Sequence, residues 1–248
     1  MTRHEKMMNA AAAELSAGRP EEAERRYRRV IEVSARRPEA RQRLAAILLD
    51  SGRVEEALEM LAEAILEKPE AIGLHLFQGR IFLSLGRLEE AVESFRRGAE
   101  VRHNHLEVNR LLGQTLLRLC EPDEAVEAFR RAVTLAPEDT ACIIGLGRAL
   151  AAQGRIEEAS MLYQQAMSLA PDDIDSRLAM TELLVEAGRV DEAVTWIGEA
   201  GRLADAAANS GALDPATMGR VQALHARVER ARLLPETQVE TKTARQIA

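Results

Sequence analysis

The sequence predicts an all-α chain of stacked helical hairpins, and three observations carry that prediction. Counting from Gly154 in steps of about 34 residues reaches Gly18, Gly52, Gly86, Cys120 and Gly188, with a single non-glycine among them. A second ladder at the same step, Ala23, Ala57, Ala91, Ala125, Ala159 and Ala193, has no exception. One helical turn beyond each alanine stands a large apolar residue: Tyr27, Leu61, Phe95, Phe129, Tyr163 or Ile197. Small residues let two helices approach to about 8 Å, the large ones fill the groove beside them, and glycine supplies the turn between. A lone hairpin cannot bury both of its apolar faces, so neighbours must stack.

Composition points the same way. Hydrophobic residues make up 46% of the chain and aromatics only 3%, which suits alanine- and leucine-rich helices better than a sheet sandwich. No segment reads as a strand. The net charge of −7 disfavours wholesale binding to nucleic acid or anionic lipid, because both need a concentrated cationic face. A local basic run, Arg25, Arg26, Arg28, Arg29, Arg36 and Arg37, is interleaved with Glu21, Glu22, Glu24 and Glu32 and reads as ion pairs on a solvated face. No stretch approaches the roughly 20 apolar residues that span a bilayer, and the N-terminus has no signal-peptide core. The expectation is therefore a cytoplasmic protein without membrane insertion. Cys120 and Cys142 form neither a CxxC motif nor a disulfide framework.

Taken in order, the hairpins are expected at residues 4–37, 38–71, 72–105, 106–139, 140–173 and 174–207. Pro20 and Pro122 sit where a second helix opens, a position at which the missing N–H costs nothing. The turns Gly52-Arg53-Val54-Glu55-Glu56 and Gly86-Arg87-Leu88-Glu89-Glu90 place an acidic pair in the first turn of the next helix, where the macrodipole favours negative charge. Repeated at several hairpins, these pairs are structural punctuation rather than catalytic carboxylates, which must converge in one cleft. His103-Asn104-His105 lacks the further ligands a metal site needs and reads as an exposed inter-hairpin loop. Ala206 to Gly211 reads as a weak break. Asp214 and Pro215 then open a helix over 214–234 with Val221, Leu224 and Val228 at helical spacing, expected to cap the stack. Residues 235–248 are polar and unpatterned and are expected to be disordered.

These residues resemble the tetratricopeptide repeat family, whose signature joins a Leu-Gly pair, a downstream Ala-x-x-x-Phe and a terminal proline. Leu112-Gly113 and Leu146-Gly147 supply the pair literally, and Pro69, Pro137 and Pro171 the terminal proline. Ala35, His103 and Asp205 replace that proline elsewhere. The first and last hairpins diverge most, with Ala10-Ala11 and Met180-Thr181 at the Leu-Gly positions. The resemblance covers about His4 to Leu203 and implies a right-handed α-solenoid whose first helices line the inner face.

No nucleophile and base set, phosphate-binding loop, metal motif or cofactor fingerprint is present. The expected function is a non-enzymatic adaptor or scaffold that holds a peptide or helix of another protein, with no cofactor and no metal. The alternatives are a self-assembling scaffold, hence a homo-oligomer, and an accessory subunit of a separate enzyme such as a transferase. From the inward positions of proteins it resembles, the peptide-binding residues are expected to be Asn9, Gln42, Arg43, Leu76, Phe77, Arg80, Arg110, Gln114, Arg118, Ile144 and Arg148. Arginines with apolar neighbours fit an acidic, partly apolar peptide, unless Glu107, Glu182 and other acids pair with them. The clamp by which chaperone-binding relatives hold a carboxylate is not reproduced, since Met8 and Ala12 stand at its Lys and Asn positions.

Overall fold

The computed structural model describes residues 3–33 and 38–233, and among these every regular element is a helix. Arg36, Arg37, the end of the first hairpin and the expected tail at 235–248 lie outside the described residues. The chain divides into two compact units, Met1–Thr115 and Leu116–Ala248. The first holds α1 (Arg3–Ser16), α2 (Pro20–Val33), α3 (Pro38–Asp50), α4 (Val54–Glu67), α5 (Ile72–Ser84), α6 (Leu88–Val101) and most of α7 (Leu106–Arg118). There α1 packs on α2, α3 on α4 and α5 on α6, and α2 meets α3 as α4 meets α5. The second unit continues from the end of α7 with α8 (Pro122–Leu135), α9 (Thr140–Ala152), α10 (Ile156–Leu169), α11 (Ile174–Glu186), α12 (Val190–Asn209) and α13 (Pro215–Leu233). Each of these from α8 onward packs on the next, and α11 also touches α9 and α13.

Both ladders mark the helix contacts. Every ladder alanine from Ala23 to Ala193 is fully buried, and the large residues a turn later, Tyr27 to Ile197, are at most 1% exposed. Aromatic rings are seated by glycines on the facing helix. A Cβ placed on Gly79 of α5 would lie 2.4 Å from the Phe95 ring of α6, and one on Gly147 of α9 would lie 2.4 Å from Tyr163 of α10. Gly145, two residues earlier and so on the opposite flank of α9, faces Phe129 of α8, whose ring a Cβ there would meet at 2.2 Å. Helix α9 thus lies between two rings with no side chain of its own at either contact.

The turn glycines end the first helices. Gly18, Gly52, Gly86, Gly154 and Gly188 take φ between 71° and 76°, and the next N–H reaches back to close the motif, as from Arg53 to Leu48 O (2.8 Å) and from Arg189 to Leu184 O (2.8 Å). Cys120 adopts the same left-handed conformation, φ 58°, with Glu121 N–H bonded to Leu116 O at 2.9 Å. A Cβ is disfavoured there by about 1–2 kcal/mol, partly offset by the greater freedom glycine has when unfolded. Cys120→Gly should therefore stabilise the protein by about 0.5–1 kcal/mol in urea denaturation; no gain would mean that the turn carries no strain.

The arginine after each turn glycine does more than the acidic pair alone suggests. Arg53, Arg87, Arg155 and Arg189 precede the first residue of a second helix and grip the glutamate three residues on. Arg53 Nη2 is 2.6 Å from Glu56, Arg155 Nη2 is 2.6 Å from Glu158, and Arg189 Nη2 is 2.7 Å from Glu192. Hydrogen bonds from these arginines, with their charge, hold the carboxyls of Glu56, Glu90, Glu158 and Glu192 below the ordinary glutamate range. Burial works against Glu24, yet bonds from Arg28 and Arg53 hold it low as well. Because the folded values are depressed, this stabilisation is fully present above the unfolded value of about 4.3 and fades as pH falls through the folded values. The melting temperature should hold from pH 7 to about 5 in this respect and drop below it, and Arg155→Gln should make the acid drop shallower. An identical acid profile in that variant would remove the clip from the account.

The expected break at Ala206 to Gly211 is corrected. Helix α12 runs unbroken to Asn209, and only then does Gly211, at φ 73°, end it. Alanine is the strongest helix former, and Asp205 stands where a proline closes other hairpins, so nothing stops the helix earlier.

Candidate peptide-binding face

Three of the linkers that lead into first helices, those before α5, α7 and α11, are clipped by one position whose residue type changes from hairpin to hairpin. Counting by the same step, it is Arg41, His75, Asn109 and Arg177, with the buried Ile143 standing between the last two. His75 is 3% exposed and its Nε2 donates to Pro69 O at 2.7 Å, which leaves Nδ1 buried without a partner. Asn109 is fully buried and its amide donates to His103 O (2.7 Å) and His105 O (3.0 Å). Arg177 donates to Asp173 O at 2.7 Å and approaches Glu199 at 3.4 Å. Arg41 instead turns to α4, with Nε 2.8 Å from Glu63 and Nη1 2.9 Å from Glu67. Sequence reasoning missed this set, since no one residue type runs through it. Its effect at His75, Asn109 and Arg177 is to tie the linker to the helix that follows it.

His103 is exposed, and His105 caps α7 by accepting from Val108 N–H at 3.4 Å through Nδ1. Among the described residues no group of three or more His, Cys, Asp and Glu could hold a metal ion. Within the basic run, Arg25 pairs with Glu22 (2.6 Å), Arg26 with Glu14 (3.0 Å) and Arg28 with Glu24 (2.8 Å).

The expected ligand residues sort into different environments. On the first unit, Asn9 of α1, Arg43 of α3, Arg80 of α5 and Gln114 of α7 are exposed, while Gln42, Leu76, Phe77 and Arg110 are half-buried. Phe77 also packs against the core beneath it. Arg80 hydrogen-bonds Glu107, and Arg110 lies 3.9 Å from the same carboxylate, so two guanidiniums share one acid. Arg43 has no ion-pair partner among the described residues. On the second unit Arg118 is exposed at the end of α7, and Arg148 lies 3.9 Å from Glu182 with its Nε buried and unpartnered. Ile144 is only 6% exposed, so it forms part of the floor and offers little to a ligand. Neighbouring Tyr163 is buried, which pushes its hydroxyl well above the ordinary range.

The family model for the tetratricopeptide repeat matches residues 14–81 and 150–209, and a second model of the same description matches 76–140 and 110–174. The chain belongs to the tetratricopeptide repeat family. Such proteins are in general interaction scaffolds, and in that general sense this tetratricopeptide protein is a protein-interaction adaptor. No curated protein matches it by sequence. Among solved structures, the fold is similar to that of a MamA protein (TM-score 0.64, 20% identity, covering 72% of this chain and 98% of that one). It is likewise similar to YrrB, described as a TPR protein with an unusual peptide-binding site (0.62, 20%, 71% and 91%). PilF of Pseudomonas aeruginosa is a third (0.58, 18%, 81% and 91%). The α-solenoid class expected from the ladders is thus the class observed. Among the described residues no helix is long and apolar enough to cross a membrane.

Proposed function

We propose that this tetratricopeptide protein holds an acidic, partly apolar segment of another protein on the first-helix face of its first unit, without catalysing a reaction itself. The observation that carries the reading is the charge on that face. Among the described residues Arg43 has no ion-pair partner, and Arg80 and Arg110 have one carboxylate between them. The three guanidiniums therefore keep a net positive charge in a chain whose overall charge is −7. Guanidinium forks match carboxylates, and the half-exposed Leu76 and Phe77 offer apolar contact to alternate side chains. The peptide-binding site described for YrrB supports a peptide as the ligand class. Arg118 and Arg148 are not needed for this reading.

The test is capture from a native lysate, with partners identified by cross-linking and mass spectrometry and affinity then measured on the purified pair. Arg43→Glu should weaken that affinity about tenfold or more, in line with a charge-assisted contact, and leave the melting temperature unchanged. Binding should also weaken with salt. Arg97→Gln, on α6 and paired with Glu93 at 2.9 Å, should change neither. Undiminished affinity in Arg43→Glu would sink the proposal.

A further inference from the structure

The guanidiniums of Arg80 on α5 and Arg110 on α7 address one and the same oxygen. Arg80 Nη2 donates to Glu107 Oε1, and Arg110 Nη2 stands 3.9 Å from that atom. Glu107 and Arg110 are neighbours across one turn of α7, while Arg80 reaches them from α5. Arg80 is exposed and the other two are half-buried, so solutes have access to the carboxylate. Two positive charges thus meet a single negative one. Glu107 stands where the anionic group of a ligand would stand.

This arrangement discriminates between kinds of anion. A ligand carboxylate arriving on Arg80 has to displace Glu107 and then merely replaces it. One arginine–carboxylate pair is exchanged for another, at an exposed position where such a pair is worth little. A phosphate monoester is different, because it brings a charge of about −1.5 to −2 and three strong acceptor oxygens at pH 7. It can bond to both guanidiniums at once and neutralise both, while Glu107 turns into water. Gln114, exposed and one turn beyond Arg110 on α7, adds an amide donor on that side of the helix. Leu76 and Phe77, one turn before Arg80 and half-buried, offer apolar contact to the residues beside the phosphate.

We propose that Arg80 and Arg110 form a site for a phosphate monoester, a phosphorylated hydroxyl side chain of the held segment, with Glu107 as an internal competitor that turns ordinary carboxylates away. The proposal rests on the first-helix face of the first unit being the ligand surface, and it names the acid taken at this place. Arg43 stays available to a carboxylate.

The probes are N-acetyl-O-phosphoserine amide, N-acetylaspartate amide and inorganic phosphate, titrated into the full chain while the arginine Nε–H signals are followed by NMR. The phosphoserine probe should move Arg80 and Arg110 together, leave Arg97 on α6 in place, and bind at least about tenfold more tightly than the aspartate probe. Its affinity should fall as pH drops through about 6, where the phosphate regains its second proton. Glu107→Gln should tighten the aspartate probe about threefold or more and so narrow the gap, and Arg80→Gln should abolish the preference for phosphoserine. Backbone amide spectra report that both variants are folded. Equal affinity of the phosphoserine and aspartate probes, or no response of Arg80 and Arg110 to phosphoserine at about 10 mM, overturns the proposal. An aspartate affinity that Glu107→Gln leaves unmoved overturns the competitor, and tighter binding of inorganic phosphate than of phosphoserine overturns the monoester in favour of a free anion. These readings need no protein partner, so their failure is separate from that of the peptide-binding face, which the Arg43→Glu affinity decides.

Discussion

Phe95→Ala should destabilise the protein by about 3–5 kcal/mol, the usual cost of emptying a buried aromatic site. The ring is fully buried and seated on Gly79, so the surrounding helices cannot collapse without moving backbone. The sharper expectation concerns Gly79→Ala. In the native protein the added methyl would meet the ring at 2.4 Å, and overpacking of this kind costs about 1–3 kcal/mol. With Phe95→Ala already in place the clash is gone. Only the helix preference of alanine over glycine remains, worth about 1 kcal/mol in the other direction. The sign of Gly79→Ala should therefore reverse between the two backgrounds in urea denaturation. An equal cost in both would show that the ring and the glycine do not define the contact.

Arg41→Ala should cost about 2–4 kcal/mol, somewhat below the usual penalty for breaking a buried ion pair. The arginine side chain is 8% exposed and its partner Glu67 20%, whereas Glu63 is 51% exposed and can be rehydrated. Glu67 already has one buried oxygen without a partner, so losing Arg41 leaves a carboxylate with little to hold it. Replacing both charges, Arg41→Met with Glu67→Leu, should recover much of the loss, because the desolvation of each ion is removed with it. If the double variant is no better than Arg41→Ala, the damage comes from lost packing and not from an orphaned charge.

These cases show what the sequence made legible. Alanine at 23, 57, 91, 125, 159 and 193 recurs because the backbone approach it permits has no other good solution, and a constraint on size repeats as a letter. The left-handed turn is similar, and even Cys120 could be placed by register alone. Position 41, 75, 109 or 177 obeys a different constraint. In four hairpins it carries a donor that reaches a nearby oxygen, and arginine, histidine and asparagine do so by different routes, while Ile143 at the same step carries none. Such a contact leaves no single letter running through the ladder. The length of α12 was hidden for a third reason, since an alanine run followed by Asn, Ser and Gly reads as a break until Asp205 is weighed as the absence of a stop. Among the ligand residues, register placed Arg43 and Arg80 on the surface but could not show that Ile144 is covered or that Arg80 and Arg110 share Glu107.

The glycines of α9 bear on what keeps that helix ordered in the second unit. Its sequence, TACIIGLGRALAA, joins two glycines to Thr140, Ile143 and Ile144, all poor helix formers, and nucleating such a turn alone is costly. Helix α8, by contrast, brings alanines, glutamates and arginines that favour helix in isolation. Phe129 and Tyr163 supply what the bare flanks of α9 press against. Helix α9 is in this sense a ligand of its neighbours, ordered by docking between two rings. Alanines at its glycine positions would raise its own helicity while removing the seat that docking needs.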